Sequence, residues 1–171
     1  MKKIILVTGG QRSGKSSYAQ NLALSLSKNP MYLATSAVWD DEHRERIERH
    51  KRDRGPEWTN VEELTELQNI DVIGKVVVID CVTLWATNFF SANNGDIQLS
   101  LEQLSDRFSR FTTQEATFIF VTNEIGLGGI SANDLQRKFT DLIGWANQYI
   151  AKQSDEVVLM VSGIPFKIKQ L

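Results

Sequence analysis

A glycine-rich stretch near the start of the chain has the residue types and the spacing that bind phosphate. Its pattern is G-x-x-x-x-G-K-[ST], and its glycines permit a tight turn whose backbone N–H groups point at phosphate oxygens. A lysine in this position adds positive charge for the β- and γ-phosphates, and the hydroxyl that follows suits Mg²⁺. We therefore predict a P-loop that binds a nucleoside triphosphate, made of Gly9, Gly10, Gln11, Arg12, Ser13, Gly14, Lys15 and Ser16.

The residues on either side of this loop have the patterns needed to position it. Residues 4–7 form a short, mostly β-branched apolar run that predicts a buried strand. Residues 17–26 carry apolar side chains at helical spacing, so a helix should follow the loop directly. Strand, loop and helix in that order place bound phosphates at a helix N-terminus, where unpaired N–H groups and the helix dipole favour anions.

Further apolar segments predict strands that alternate with helices along the chain. We expect strands over 3–8, 31–35, 75–80, 116–122 and 156–162. We expect a surface loop over 91–96 and helices over 15–27, part of 40–53, 62–68, 83–91, 98–112 and 133–152. The strands are apolar without clear alternation, which is typical of a parallel sheet covered by helices on both faces. The sequence therefore predicts an α/β fold whose ligands bind where the strands end.

Length and composition limit the possible classes of protein. A chain of 171 residues is expected to form a single domain over residues 1–171. The formal net charge of −2 gives no basic field, so we expect no nucleic-acid partner. One cysteine, Cys81, excludes an internal disulfide, and its apolar neighbours predict a small buried residue. No apolar run approaches the ~20 residues that span a bilayer, and we expect a cytoplasmic protein.

Polar residues end two of the predicted strands. Asp80 ends an apolar strand, where an Asp of P-loop enzymes holds Mg²⁺; alternatively, it caps the helix that begins near residue 83. Together with the P-loop, the metal role is favoured. Residues 122–124, Thr-Asn-Glu, end the strand over 116–122 at the same edge of the sheet. They could belong to the site or to an ordinary turn. The Asn-Lys-x-Asp signature of guanine-specific GTPases is missing there, which argues against a switch GTPase.

A dense run of charges over residues 40–54 has two interpretations. With six acidic and six basic side chains, it could be a solvated helix with ion pairs between residues four apart. However, the bases crowd its second half and surround His50, making a cationic patch that suits a triphosphate. Positive charge nearby disfavours the protonated imidazole, and a neutral imidazole can attack phosphorus. The residues alone leave both interpretations open.

Taken together, these motifs resemble the bifunctional adenosylcobinamide kinase and adenosylcobinamide-phosphate guanylyltransferase family of cobalamin biosynthesis. The resemblance runs nearly end to end. Its most specific carriers are the glycine loop combined with Ala34-Thr35-Ser36 and the segment around His50. Other carriers are Asp80-Cys81, residues 121–124, Asn147-Gln148 and residues 161–164. The chain departs from the usual family residues at Gln11, Ser131 and Thr140.

The resemblance implies roles for individual residues. His50 matches the histidine that becomes covalently guanylylated, and the glycine loop matches the family's phosphate loop. Ser16 and Asp80 would hold Mg²⁺. Beyond the loop, the residues expected to bind the nucleotide are Ala34, Thr35, Ser36, Lys51, Arg52, Asp53, Arg54, Glu62 and Asp80.

The family's two reactions imply substrates and an assembly. The expected enzyme phosphorylates the aminopropanol hydroxyl of adenosylcobinamide, and then transfers GMP from GTP to adenosylcobinamide phosphate through a GMP-histidine. GTP and ATP would be substrates, Mg²⁺ the cofactor, and a homotrimer of RecA-like, three-layer P-loop NTPase domains the assembly. Two alternatives stay open: a monofunctional small-molecule kinase that does not use His50, and a nucleotide-driven interaction module without turnover.

Overall fold

One sheet of seven strands organises the residues that the computed structural model describes, residues 2–36 and 54–170. Along the chain the strands are β1 (Lys3–Gly9), β2 (Met31–Ala34), β3 (Thr59–Glu62), β4 (Val76–Asp80), β5 (Thr117–Val121), β6 (Glu156–Val161) and β7 (Ile164–Gln170). Their order across the sheet is β3-β2-β4-β5-β1-β6-β7. Neighbouring strands run parallel except β6 and β7, which are antiparallel. This confirms the predicted, mostly parallel sheet.

The α-helices of the described ranges are α1 (Lys15–Leu26), α2 (Val82–Ala92), α3 (Ile97–Phe111) and α4 (Asp134–Gln153). Single turns of 3₁₀-helix occur at Leu67–Asn69 and Ile125–Gly128. The side chains of Asp96 and Asn133 cap α3 and α4, since each accepts a hydrogen bond from a first-turn backbone N–H. Within residues 2–36 and 54–170, no helix is long and apolar enough to cross a membrane.

The central strands are buried on both faces, and their side chains divide the core in two. In β1, Ile4 and Leu6 join a cluster built with α2, α3 and α4, while Ile5 and Val7 join a second cluster against α1. This alternation follows from the two-residue period of a strand. Because both faces are covered, β1 is apolar without alternation over residues 4–7, which is the pattern that the sequence shows.

The five predicted strands and four of the predicted helices are confirmed, with no end shifted by more than one residue. The predicted helix over 62–68 is wrong: β3 ends at Glu62, and only the 3₁₀ turn follows. Strands β3 and β7 were missed because they are edge strands whose side chains are mostly exposed, so neither shows a buried apolar run. The loop expected over 91–96 begins at Asn93, because α2 continues to Ala92. The helix predicted within 40–53 lies outside the described residues.

The parallel arrangement brings the carboxyl ends of four strands to one edge of the sheet. In the ladder, Ala34 of β2 pairs with Asp80 of β4, and Asp80 pairs with Val121 of β5. Strand β1 lies beside β5 and leads into the glycine loop. Residues that are far apart in sequence therefore meet at the edge where α/β proteins bind ligands.

Candidate active site

A cavity of about 1130 Å³ opens where β1, β2, β4 and β5 end. It is lined by residues 10–17 of the glycine loop and the start of α1, by Tyr32 and Ala34 of β2 and Ser36 after it, by Asp80, and by residues of the segment 121–128. Its volume is somewhat above the ~300–1,000 Å³ typical of small-molecule sites, so there is room for more than a nucleotide.

The glycine loop takes a conformation that its glycines make possible. Gly14 has a φ of 92° at the N-cap of α1, a left-handed conformation that side chains rarely adopt. Gly9 has a φ of 151°, and a Cβ there would collide with the backbone oxygen of Met160. The loop is also tied to the turn after β6, since the backbone N–H of Gly163 donates to the Ser13 carbonyl over 3.0 Å. The loop is thus held in its turn by the conformations of its glycines and by a backbone hydrogen bond to the turn after β6.

Lys15 is held inside this loop. Its side chain is buried, and Nζ donates to the Gly10 carbonyl and, over 3.4 Å, to Ser13 Oγ. Burial lowers the pKa of Lys15, while the nearby Cys81 and Asp80 partly oppose that shift. An ammonium held this way lacks full hydration, so phosphate oxygens would be strong partners for it.

Asp80, Tyr32 and Arg54 form a second group on the cavity wall. The Tyr32 hydroxyl donates to Asp80 Oδ2 over 2.9 Å, and the Arg54 guanidinium lies 3.7 Å above the Tyr32 ring. Burial, and then the charge of Asp80, raise the pKa of Tyr32, which keeps its proton available for that hydrogen bond. Tyr32 also packs edge-to-face on Trp58, with ring centroids 6.0 Å apart. Asp80 is therefore oriented by a side chain from the neighbouring strand.

Arg54 is buried, and one nitrogen of its guanidinium group lacks a hydrogen-bond partner among the described residues. Its Nε donates to Asn60 Oδ1 over 2.7 Å, whereas buried Nη1 has no hydrogen-bond partner among the described residues. An unpaired buried donor is unfavourable, so such a group is well suited to bind an anion. Ser36 and Arg54, which flank the undescribed segment 37–53, both line the cavity.

Among the described residues, three of those predicted to bind the nucleotide do not line the cavity: Gly9, Thr35 and Glu62. Thr35 is fully buried; its hydroxyl donates to the Cys81 carbonyl over 2.7 Å and accepts from the Cys81 N–H over 3.0 Å. Its side chain thus fixes the end of β2 to the turn after β4. Glu62 ends the edge strand β3 and does not line the cavity. Four other predicted site residues, His50, Lys51, Arg52 and Asp53, fall outside the described residues.

Cys81 is buried, as its apolar neighbours predict. Burial, and then the charge of Asp80, raise the pKa of its thiol to about 12. The thiol is therefore not poised as a nucleophile, because almost no thiolate exists at neutral pH.

The end of β5 carries a network of polar side chains. Glu124 Oε1 accepts from the Thr8 hydroxyl over 2.8 Å and from Asn147 Nδ2 over 3.1 Å. The Thr83 hydroxyl accepts from the backbone N–H and the side-chain amide of Asn123, over 3.1 and 3.3 Å. Asn123 and Glu124 thus line the cavity with fixed partners, as part of the site rather than an ordinary turn.

Tyr32, Thr83 and Asn147 were missed as site residues by the sequence reasoning. Tyr32 reads as one more strand residue, and Asn147 sits in an amphipathic helix, 23 residues beyond the Glu124 that it contacts. The one available signal was the polarity of Asn147, since a buried amide within an apolar helix face needs partners.

Fold and site together define an α/β P-loop nucleotide-binding protein. The chain shares this fold with the P4 protein of bacteriophage phi6, solved with ADP, at a TM-score of 0.51 and 16% identity, over 96% of this chain and 54% of that one. Residues 5–168 match the family model described as cobinamide kinase / cobinamide phosphate guanyltransferase, and the chain belongs to that family of enzymes.

Two curated relatives have matching names. The bifunctional adenosylcobalamin biosynthesis protein CobU of Escherichia coli is 38% identical over 97% of this chain and 99% of its own length. The bifunctional adenosylcobalamin biosynthesis protein CobP of Pseudomonas aeruginosa is 33% identical over 96% of each chain. The resemblance drawn from the motifs is therefore confirmed at the level of the family.

Proposed function

We propose that this chain phosphorylates adenosylcobinamide and then transfers GMP from GTP to adenosylcobinamide phosphate, giving adenosylcobinamide-GDP. One observation carries the proposal. The glycine loop, Asp80, and the two residues that flank the segment bearing His50 line the same cavity. A site that serves both reactions needs phosphate-binding groups and a nucleophile within reach of one nucleotide.

In the first reaction, the γ-phosphoryl group of ATP or GTP passes to the aminopropanol hydroxyl. The loop's N–H groups and Lys15 bind the β- and γ-phosphates and offset the charge that builds up on the leaving oxygen. Because phosphoryl transfer needs mainly positioning and charge stabilisation, a rigid loop with a buried cation supports this step.

Mg²⁺ fits the donor set of the cavity. Ser16 supplies a hydroxyl oxygen and Asp80 a carboxylate, and both line the cavity. Mg²⁺ in nucleotide sites takes one or two protein oxygens and completes its shell with phosphates and water. When bound, it would neutralise charge on the phosphates, while Tyr32 holds one oxygen of Asp80 and leaves the other for the ion.

In the second reaction, His50 attacks the α-phosphorus of GTP, and pyrophosphate leaves. The phosphate of adenosylcobinamide phosphate then displaces the histidine from GMP. His50 precedes the cavity-lining Arg54 by only four residues, and a chain spans at most ~3.6 Å per residue, so the spacing in the sequence permits His50 to reach the nucleotide. Lys51, Arg52 and Arg54 would stabilise the departing pyrophosphate, with Arg54 Nη1 as a buried donor that lacks a partner among the described residues.

We further propose a homotrimer of single-domain chains, located in the cytoplasm and without a nucleic-acid partner. A row of exposed apolar side chains on the edge strand β7, Ile164, Phe166 and Ile168, supports association between chains. The weak net charge of −2 supports the absence of a nucleic-acid partner. Analytical ultracentrifugation of the full chain measures the oligomeric state directly.

Labelling with GTP that is radioactive at the α-phosphorus tests the histidine. We expect an acid-labile label on the wild-type protein, no label on His50→Ala, and chase of the label into product by adenosylcobinamide phosphate. His43→Ala is the matched control, because it removes the chain's other histidine, and it should keep the label. An unlabelled wild type that still phosphorylates adenosylcobinamide would leave a monofunctional kinase instead.

A further inference from the structure

Two carboxylates line the cavity within the described residues, Asp80 at the end of β4 and Glu124 in the segment after β5. Asp80 accepts the Tyr32 hydroxyl beside the glycine loop and faces the proposed metal position. Glu124 follows β5 and begins the cavity wall that continues through Ile125, Leu127 and Gly128. The proposed kinase reaction needs a group that accepts the proton of the substrate hydroxyl. Asp80 is already assigned to Mg²⁺, which leaves Glu124.

The Glu124 side chain is fixed by buried neighbours. Asn147 is oriented by Thr122, whose hydroxyl donates to Asn147 Oδ1 over 2.7 Å. Asn147 Nδ2 is therefore turned toward Glu124, where it and the Thr8 hydroxyl both donate to Oε1. Thr8, Thr122 and Asn147 are at most 5% exposed, so the side chains that hold the Glu124 carboxylate are buried and hydrogen-bonded.

Both of these hydrogen bonds end on the same oxygen. Within residues 2–36 and 54–170, no hydrogen bond or ion pair is made by Glu124 Oε2. Glu124 is half-buried and lines the cavity, so this second oxygen is available to a molecule that enters it. The backbone also ties it to the phosphate loop, because the Glu124 N–H donates to the Gly9 carbonyl over 3.1 Å.

We propose that Glu124 is the general base of the phosphoryl transfer, accepting the proton of the substrate hydroxyl on Oε2. This inference rests on the proposed kinase function. As the hydroxyl oxygen forms its bond to the γ-phosphorus, its proton moves to Glu124. The bond between the γ-phosphorus and the β,γ-bridging oxygen breaks, and the nucleoside diphosphate leaves with that electron pair. The proton then passes from Glu124 to water, which restores the carboxylate.

The two proposed reactions differ in their need for this base. The acceptor of the kinase reaction is an alcohol, which must lose a proton to become a phosphate ester. The acceptor of GMP transfer is a phosphate monoester, which is already ionised at neutral pH. Removal of the base should therefore impair the first reaction and spare the second.

Glu124→Gln is the test, because the new amide oxygen can still accept from Thr8 and Asn147. We expect phosphorylation of adenosylcobinamide to fall by about 10²- to 10⁴-fold, the usual contribution of a general base. The dissociation constant for GTP, the labelling by α-phosphorus-labelled GTP, and GMP transfer to separately prepared adenosylcobinamide phosphate should stay within threefold. Glu102→Gln on α3 is the matched control, and all its values should equal those of wild type.

Three results would overturn the inference. These are an unchanged kinase rate in Glu124→Gln, an equal loss of both reactions, or a parallel loss of nucleotide affinity, which would indicate a structural role. Should Glu124→Gln melt early, Glu124→Ala is assayed with added formate, and no rescue of the kinase rate refutes the base. A wild type that lacks kinase activity contradicts the proposed function itself, which separates the two failures.

Discussion

On one side of the cavity, residues 10–17 and Asp80 form what we call the phosphate wall; on another, residues 121–128 form the acceptor wall. The phosphate wall places a buried cation, Lys15, inside a loop that is bonded to its own backbone. The acceptor wall changes along its length. Glu124 is fixed by three buried side chains, whereas Leu127 is 77% exposed.

The difference between the walls follows the substrates that each would meet. Both proposed reactions bind the phosphates of a nucleoside triphosphate, so one rigid phosphate wall can serve each of them without reorganisation during reaction. The acceptor wall must serve an alcohol in one reaction and its phosphate ester in the other. A fixed carboxylate beside an exposed apolar side chain suits a large acceptor whose reacting end must still be placed accurately.

The largest effect on both reactions together is expected from Lys15→Met on the phosphate wall. Both reactions should fall together by about 10²- to 10³-fold, because one buried charge serves the phosphates in each. Nucleotide should also no longer raise the melting temperature. Measurement of both rates on one preparation checks this; a loss confined to one reaction would contradict a shared phosphate wall.

The same variant also tests whether Lys15 is buried as a charged group, through the pH dependence of the free energy of unfolding. Because burial lowers the pKa of Lys15, the folded chain binds fewer protons than the unfolded chain as pH rises toward 10.5. The free energy of unfolding of the wild type should therefore rise relative to that of Lys15→Met over that window. Urea unfolding of both proteins at a series of pH values measures the difference, and a falling difference would contradict the assigned shift.

How far the sequence predicts each wall depends on how far apart along the chain the interacting residues are. The glycine loop is local: its strand, turn and helix are consecutive, so the pattern of residues 9–16 was sufficient. The Glu124 support is not local, because Thr8 and Asn147 lie 116 and 23 residues away. Its polar position at the strand end was predicted, but its partners depend on the strand order β5-β1 and on the packing of α4.

Tyr32 illustrates the same limit within the sheet. The ladder pairs Tyr32 with Val78, so Asp80 is a diagonal neighbour two residues further on, within reach of a tyrosine hydroxyl. Only the register between β2 and β4 reveals this, since the two residues are 48 apart in sequence. The edge strands β3 and β7 were not predicted for a related reason, because exposed strands lack the continuous apolar run of a buried strand.

A smaller effect is expected from Tyr32→Phe, which removes the hydroxyl that orients Asp80 but keeps the ring beneath Arg54. We expect the Mg²⁺ concentration for half-maximal activity to rise about tenfold in both reactions. Loss of a hydrogen bond to a metal ligand typically weakens metal binding by about 10- to 100-fold, and we expect the lower value. Titration of both rates with Mg²⁺ measures this. Tyr149→Phe is the matched control, because its hydroxyl contacts Ser109 outside the cavity. An unchanged Mg²⁺ requirement would contradict a role of Tyr32 in orienting Asp80 for the metal ion.

The smallest effect is expected from Leu127→Ser on the acceptor wall. This variant tests whether that wall contacts adenosylcobinamide and not the nucleotide. Leu127 is 77% exposed yet lines the cavity, so it can bury apolar surface only when an acceptor binds. Partial burial of one leucine contributes about 1 kcal/mol, which corresponds to about a fivefold rise in KM for adenosylcobinamide, with KM for nucleotide unchanged. Leu99→Ser, an exposed leucine on α3 outside the cavity, should alter neither constant. A shift in the nucleotide KM instead would place Leu127 with the phosphates and contradict the division into two walls.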